Sequence, residues 1–325
     1  MASALPRLSV GLPVYNGEEY LREALDAVLG QTFEDFELVI SSNASTDATD
    51  DICREYQARD PRIRIYRQEQ NIGAAPNHQF VFDQSRGELF KWVAADDLYA
   101  RDLFARCVAL LDEHPDAVLA HSWGAAIDGD GEVIQAIEYP LTTDSTQPSE
   151  RFRSMLFGVD LPGALAADDF YGVIRSDVLR KIKPHGSFYH ADYTYTAEIS
   201  LHGPFVQVPE WLYFRRQHDD RVSLASASTV AARLDPSRAG RLRSFKARLF
   251  AEYLWSWFEV VRRAPVTGAE RRKCYRHILS WAANRASRRL PGRSGPPEPA
   301  PESFGEIGAR VLASRALVAG ADGRS

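Results

Sequence analysis

Cysteine is scarce in this chain: three in 325 residues, at Cys53, Cys107 and Cys274. A dispersed, odd-numbered set offers neither a disulfide framework nor zinc spacing, and it suits a reducing compartment. The plain reading of all three is small packed residues. Long hydrophobic runs are missing as well, since no stretch approaches the ~20 apolar residues of a membrane span. No secretory leader is expected, because residues 1–7 are a short tail ahead of LSVGLPV. Nor is there a surplus of positive charge: 39 Lys and Arg face 44 Asp and Glu, a net charge of −5. That balance excludes wholesale nucleic-acid binding. The expected setting is the cytoplasm, in solution or peripheral at the inner face of the cell membrane.

What is present is a chain 45% apolar, enough for one large domain with or without an appendage. Leu8 to Val14 reads as a buried strand, and Glu18 to Leu29 places apolar residues at helical spacing. Phe36–Ser41, Arg62–Tyr66 and Leu89–Ala94 read as further strands, with helices over Ala48–Asp60 and Gly73–Ser85 between them. That rhythm predicts an α/β fold, a Rossmann-like, mostly parallel sheet flanked by helices. Ligands in such sheets sit at the carboxyl ends of strands. Pro13–Asn16, Ser41–Asp47 and Asp96–Asp97 all fall there.

Further along, Leu103–His114 reads as a helix and Ala117–His121 as a strand, followed by a hairpin around Asp128-Gly129-Asp130-Gly131. A helix is expected around 149–158, strands at Tyr171–Arg175 and Phe205–Val208, and a helix over Tyr193–His202. Residues 233–289 then carry fifteen Arg or Lys against four acids, in two helices, Arg241–Arg263 and Glu270–Arg289. GRSGPPEPAPES (292–303) is linker composition, and 303–325 holds at most one weak helix. The expected organisation is a catalytic domain over 1–226, with a nucleotide-sugar half at about 1–115 and an acceptor half at about 116–226. A basic helical extension (227–290) and a Pro/Gly-rich linker and tail (291–325) follow.

The ordered set PVYNGEEYLREAL, S-x-N-A-S-T-D, N-x-G-x-x-x-N and G-E-x-x-K-W-x-A-x-D-D-L-Y resembles family 2 glycosyltransferases of the GT-A fold. The resemblance covers roughly residues 8–225 and is strongest over 8–105. It implies an inverting enzyme that moves a sugar from a nucleotide-diphosphate sugar (UDP, dTDP or GDP) to a hydroxyl acceptor, a saccharide, lipid-linked glycan or small molecule. Such a transfer needs charge stabilisation at the departing diphosphate, which a divalent cation (Mn²⁺ or Mg²⁺) supplies, and a base for the acceptor proton.

Carried over residue by residue, Pro13 and Tyr15 line the base pocket, with the Tyr15 ring against the base. Ser42, Asn43 and Asn71 join the nucleotide-sugar contacts. Asp96 contacts ribose or sugar, Asp97 ligates the metal with His218, and Arg215 neutralises phosphate charge, with Arg216 beside it. A plainer role for Asp97 is the N-cap of a helix starting at Leu98. The base is Asp192, at the start of the helix after YHA, with Asp168 and Asp169 as rival acids. The resemblance fails in three places: Ser42, Ala94 and Ala191 stand where the family carries acids. These gaps keep open a catalytically degenerate nucleotide-sugar-binding protein. A nucleotidyltransferase is the third class, but it lacks a Gly-rich phosphate loop here. The basic helices leave three readings: a cap on the catalytic domain, a homo-oligomer interface, or contact with an anionic membrane surface.

Overall fold

The computed structural model describes residues 5–158, 168–188, 190–217, 229, 233–238 and 246–288. The apolar runs of the first ninety residues become four parallel strands: β1 (Leu8–Val14), β2 (Phe36–Ser42), β3 (Ile63–Arg67) and β4 (Leu89–Trp92). Parallel neighbours need a crossover between them, and α1 (Leu21–Leu29), α2 (Thr49–Arg59) and α3 (Ala74–Asp83) provide it. β1 and β2 are buried almost throughout, as strands covered on both faces must be. Gly11 lets α3 close on the sheet: a Cβ there would fall 2.6 Å from the Phe90 ring and 2.7 Å from Val81.

The remaining strands are β5 (Leu98–Tyr99), β6 (Leu119–Ile127), β7 (Val133–Ile137), β8 (Val173–Arg175) and β9 (Phe205–Arg216). The sheet runs β3-β2-β1-β4-β8-β6-β9-β5, with β7 hairpinned onto β6. β8 lies antiparallel to both β4 and β6, β9 runs parallel to β6, and β5 pairs antiparallel with β9. The Asp128–Gly131 turn closes the β6–β7 hairpin as its composition predicts, with Gly131 at φ 84.

Two apolar layers flank the sheet. One packs α1, α2 and α4 (Leu103–Glu113) against β1 and β2. The other gathers α3, α5 (Pro148–Gly158) and α7 (Ala191–His202) with α8 (Lys246–Arg263) and α9 (Gly268–Arg288). A four-residue turn of helix, α6 (Ser176–Leu179), follows β8. The basic extension is therefore, on its inner face, part of the core. Trp257 and Trp281 are fully buried, the Trp257 ring lies edge-on to Phe152, and Arg263 pairs with Glu198 of α7 at 2.8 Å. No helix among the described residues is long and apolar enough to cross a membrane.

Leu98–Tyr99 is a strand, and the next helix begins only at Leu103, so Asp97 caps no helix. β6 and β9 run well past His121 and Val208, because pairing with each other carries them across the polar interruptions at Ser122 and at Pro209–Glu210. The proposed linker and tail, 291–325, lie outside the described residues.

Candidate active site

The carboxyl ends of β1 and β2 are laced together by side chains in their turns. Asn16, in the left-handed region at φ 49, accepts the Thr46 amide on Oδ1 at 2.9 Å. Its own N–H reaches Ser45 Oγ, Gly17 N–H reaches Thr49 Oγ1, and Glu18 N–H reaches Asp47. Glu18 returns the contact by accepting the Ala48 amide at 2.8 Å. Beside this lacing the Tyr15 residue is 50% exposed and Pro13 is partly buried.

Asn43 is buried and ties down the next loop. Its Nδ2 donates to Asn71 Oδ1 at 3.0 Å, and its Oδ1 accepts the Ile72 amide at 2.9 Å. Asn71 Oδ1 also accepts from Gly73 N–H. Gly73 has φ 92, and a Cβ there would fall 2.5 Å from the Leu234 carbonyl, so the 233–238 segment packs onto this loop. Ser42 is fully buried, and its hydroxyl engages Ser45 and Asp50. Burial works to raise the Asp50 pKa, but the hydrogen bonds from Ser42 and Arg67 outweigh it and lower it.

The acidic turn after β4 divides its two carboxylates. Asp97 is 2% exposed: Oδ2 accepts the Tyr213 phenol at 2.5 Å and Oδ1 accepts the Arg216 amide at 2.9 Å. Asp96 is partly exposed, and its backbone carbonyl accepts Arg216 Nε at 2.9 Å. At the turn's start, the Ala94 amide donates to Tyr99 Oη at 2.8 Å. Arg216 is the hub beneath: 1% exposed, it also reaches the Gly129 carbonyl at 2.6 Å and Glu23 at 2.7 Å, and its guanidinium lies 4.5 Å from the Tyr20 ring centre.

Asp192 sits in the first turn of α7. One helical turn later Tyr195 meets Trp92 edge-on at 5.8 Å, and Phe170 stacks on Trp92 at 4.6 Å. These rings fasten the start of α7 to the end of β4, a few residues before the acidic turn. Burial pushes the Asp192 carboxyl up to about 6, with the Tyr193 and Asp192 amides partly offsetting it. His190, in the left-handed region at φ 64, packs on Tyr193 and Tyr253, and burial holds its imidazole down at about 4, helped by Arg285.

The structure thus gathers Pro13, Tyr15, Ser42, Asn43, Asn71, Asp96 and Asp97 at one edge of the sheet. It turns the polar groups of Ser42, Asn43 and Asp97 toward the protein. Arg215 is partly buried near the end of β9, while its neighbour Arg216 does the clamping. His218 lies outside the described residues. Of the rival acids, Asp169 is 1% exposed, accepts the Tyr139 phenol at 2.6 Å and lies 3.8 Å from His121. Sequence reasoning missed Tyr99 and Tyr213 as clamps; the Asp-Asp-Leu-Tyr run contains the first, and nothing local signals the second. Among the described residues no three His, Cys, Asp or Glu side chains cluster as a metal centre. An acid at the partly exposed residue Asp96 still fits a Mg²⁺ or Mn²⁺ ion whose other ligands are diphosphate oxygens and water.

Residues 9–183 match the family described as glycosyl transferase family 2. Among curated proteins, the minor teichoic acid biosynthesis protein GgaB of Bacillus subtilis is 30% identical over 112 residues, 34% of this chain and 12% of its own length. Putative glycosyltransferase EpsH of Bacillus subtilis is 29% identical over 153 residues, 47% of this chain and 43% of its own. The chain therefore spans less than half the length of these curated relatives. Among solved structures, S. aureus TarS 1-349 in complex with UDP-GlcNAc superposes with a TM-score of 0.55 at 15% identity, covering 91% of this chain and 99% of that one. The mannosyltransferase PcManGT from Pyrobaculum calidifontis, in complex with GDP-Man and Mn²⁺, gives a TM-score of 0.50 at 17% identity, covering 98% and 81%. Identities this low speak for a shared fold.

Proposed function

Because the chain belongs to glycosyl transferase family 2, we propose that it moves a sugar from a nucleotide-diphosphate sugar to an acceptor hydroxyl, with inversion. The observation that carries this reading is the acidic turn at the end of β4. It is held rigidly by Tyr99, Tyr213 and Arg216, keeps the acidic residue Asp96 partly exposed, and stands beside the laced turns of β1 and β2.

In this reading Tyr15 offers its face to the base, and Asp96, rather than Asp97, is the acid that faces the diphosphate. Asp97 positions the turn. A divalent cation held by Asp96, when bound, offsets the charge of the departing diphosphate. Asp192 takes the acceptor's proton at its carboxylate. The acceptor oxygen bonds to the anomeric carbon from the face opposite the diphosphate, and the bond from that carbon to the phosphate oxygen breaks. An acid whose pKa lies near 6 is largely ionised at neutral pH yet basic enough to assist.

The donor base stays among uracil, thymine and guanine. The two structural neighbours hold UDP-GlcNAc and GDP-Man, and Ser42 offers no carboxylate to a base edge. Thermal stabilisation by UDP, dTDP and GDP, with and without Mn²⁺, tests the reading. A metal-dependent rise for one nucleotide, with release of that diphosphate from its sugar donor, supports a transferase. Binding without any release favours the degenerate binder, and no binding ends both readings.

A further inference from the structure

Lys91 is 1% exposed, yet it lies in the middle of β4 among apolar neighbours. Strand alternation puts it on the face of Leu89 and Val93, which belong to the layer containing Leu103 and Cys107 of α4. A buried ammonium is costly unless it is compensated. Here its Nζ donates to the Tyr171 carbonyl and lies 5.3 Å from the Tyr99 ring centre and 5.9 Å from that of Tyr213. Both distances are within cation–π range. The cavity beside it measures about 10 Å³, room for about one water, and is lined also by Leu103, Cys107, His121 and Ser122.

Those two rings stack on each other, 5.7 Å apart and 15° from parallel. Each sends its hydroxyl to the acidic turn: Tyr99 Oη accepts the Ala94 amide, and Tyr213 Oη donates to Asp97. The Tyr171 ring packs on Tyr213 at 5.6 Å and closes the cluster. We propose that Lys91 is a positioning residue for the donor site, its buried ammonium fixing the tyrosine pair that holds Asp96 in place for a nucleoside diphosphate. Burial lowers the Lys91 pKa to about 8, with Cys107 and Asp97 acting against the fall, so it remains largely charged at neutral pH. The cost of that buried charge falls on folding, and the return is placement of the turn.

The inference rests on the donor-site reading above, and calorimetric titration of UDP, dTDP and GDP with Mn²⁺ tests the two separately. In the intact chain, Lys91→Met should weaken binding of the preferred nucleotide about tenfold. It should do so without a matching fall in melting temperature, since an apolar side chain of similar volume removes a buried charge. Tyr213→Phe should weaken binding too, and the double variant should bind no worse than the weaker single, since both act along one route. Wild-type affinity in Lys91→Met, or fully additive losses in the double variant, overturns the proposal while leaving the donor site standing. A wild-type chain that binds none of the three nucleotides overturns both. Should Lys91→Met fail to fold, Tyr99→Phe and Tyr213→Phe carry the test with Lys91 intact, and unchanged affinity in both refutes it.

Discussion

Tyr213 and Asp97 lie 116 residues apart in the chain, and the phenol of one donates to the carboxylate of the other at 2.5 Å. Their bond engages the second of two adjacent acids inside the protein. Asp97→Asn should therefore act as a stability lesion, costing about 1–3 kcal/mol through a damaged buried hydrogen-bond pair. Asp96→Asn should remove the Mn²⁺-dependent part of nucleotide stabilisation and cost less stability than Asp97→Asn, since Asp96 is the less buried of the two. Thermal scans of both variants, with and without Mn²⁺ and nucleotide, separate the two acids. The reverse pattern would return the metal to Asp97.

Asp192 sets the expected pH dependence. Only its ionised form accepts a proton, so transfer should rise with pH through about 6 and level off above it. Asp192→Asn should lower turnover by about 10²–10⁴ and spare nucleotide affinity. Stability moves the other way. The folded carboxyl, at about 6 against an unfolded 3.8, keeps its proton longer, so its contribution falls as pH rises between those values. Denaturant titrations from pH 4 to 7 should show that slope in the wild type and lose it in Asp192→Asn.

Arg216 binds three segments at once: the Asp96 carbonyl, the Gly129 carbonyl and Glu23. Arg216→Met should cost at least about 3 kcal/mol, because several carbonyl acceptors lose a charged donor together. Arg216→Lys should recover little, since one ammonium cannot span a forked set of partners. Chemical denaturation of both variants reads this directly.

Ser42 stands where the family carries an acid, with its hydroxyl engaged by Ser45 and Asp50. Ser42→Asp should bring two carboxylates together and lower the melting temperature, with no gain in affinity for UDP over GDP. A clear rise in UDP affinity would show that the position reads the base after all.

On the outer side of α8 and α9, Trp255 is 65% and Leu279 61% exposed, in a stretch rich in arginine. If this face meets an anionic bilayer, the full chain should float with phosphatidylglycerol vesicles at low salt but not with neutral ones, and Trp255→Ser should float less. Equal behaviour on both vesicle types, with a dimer in sedimentation, would assign the face to a second subunit.

The parallel strands were legible because β1, β2 and β4 carry short apolar runs, β3 alternates, and a turn with a helix-period segment follows each. The ends of β6 and β9 were not: Ser122 and Gly124 interrupt the apolar pattern of one and Pro209–Glu210 that of the other, and their mutual pairing carries both strands through. β5, at two residues, is too short to leave any period. The motif puts the acidic turn after β4 and gives Asp96 to ribose or sugar and Asp97 to the metal; that Asp97 is engaged by Tyr213 and Arg216, far along the chain, leaves no mark in the motif. Lys91 was equally hidden. A lysine in a strand reads as a solvent-facing residue unless its tyrosine partners are known.

The pairing of β5 with β9 also bears on how such a chain can be rearranged. Leu98 and Tyr99 find their strand partners in Phe214 and Tyr213. A fragment ending near residue 115 would carry the turns after β1, β2 and β4 and still lack the strand that pairs with β5 and engages Asp97. Recombining this front with the back of a relative would succeed only if the graft brought compatible residues at 213 and 216. Inheritance of the donor site is therefore tied to the segment that chain order assigns to the acceptor, and drift at one end constrains drift at the other.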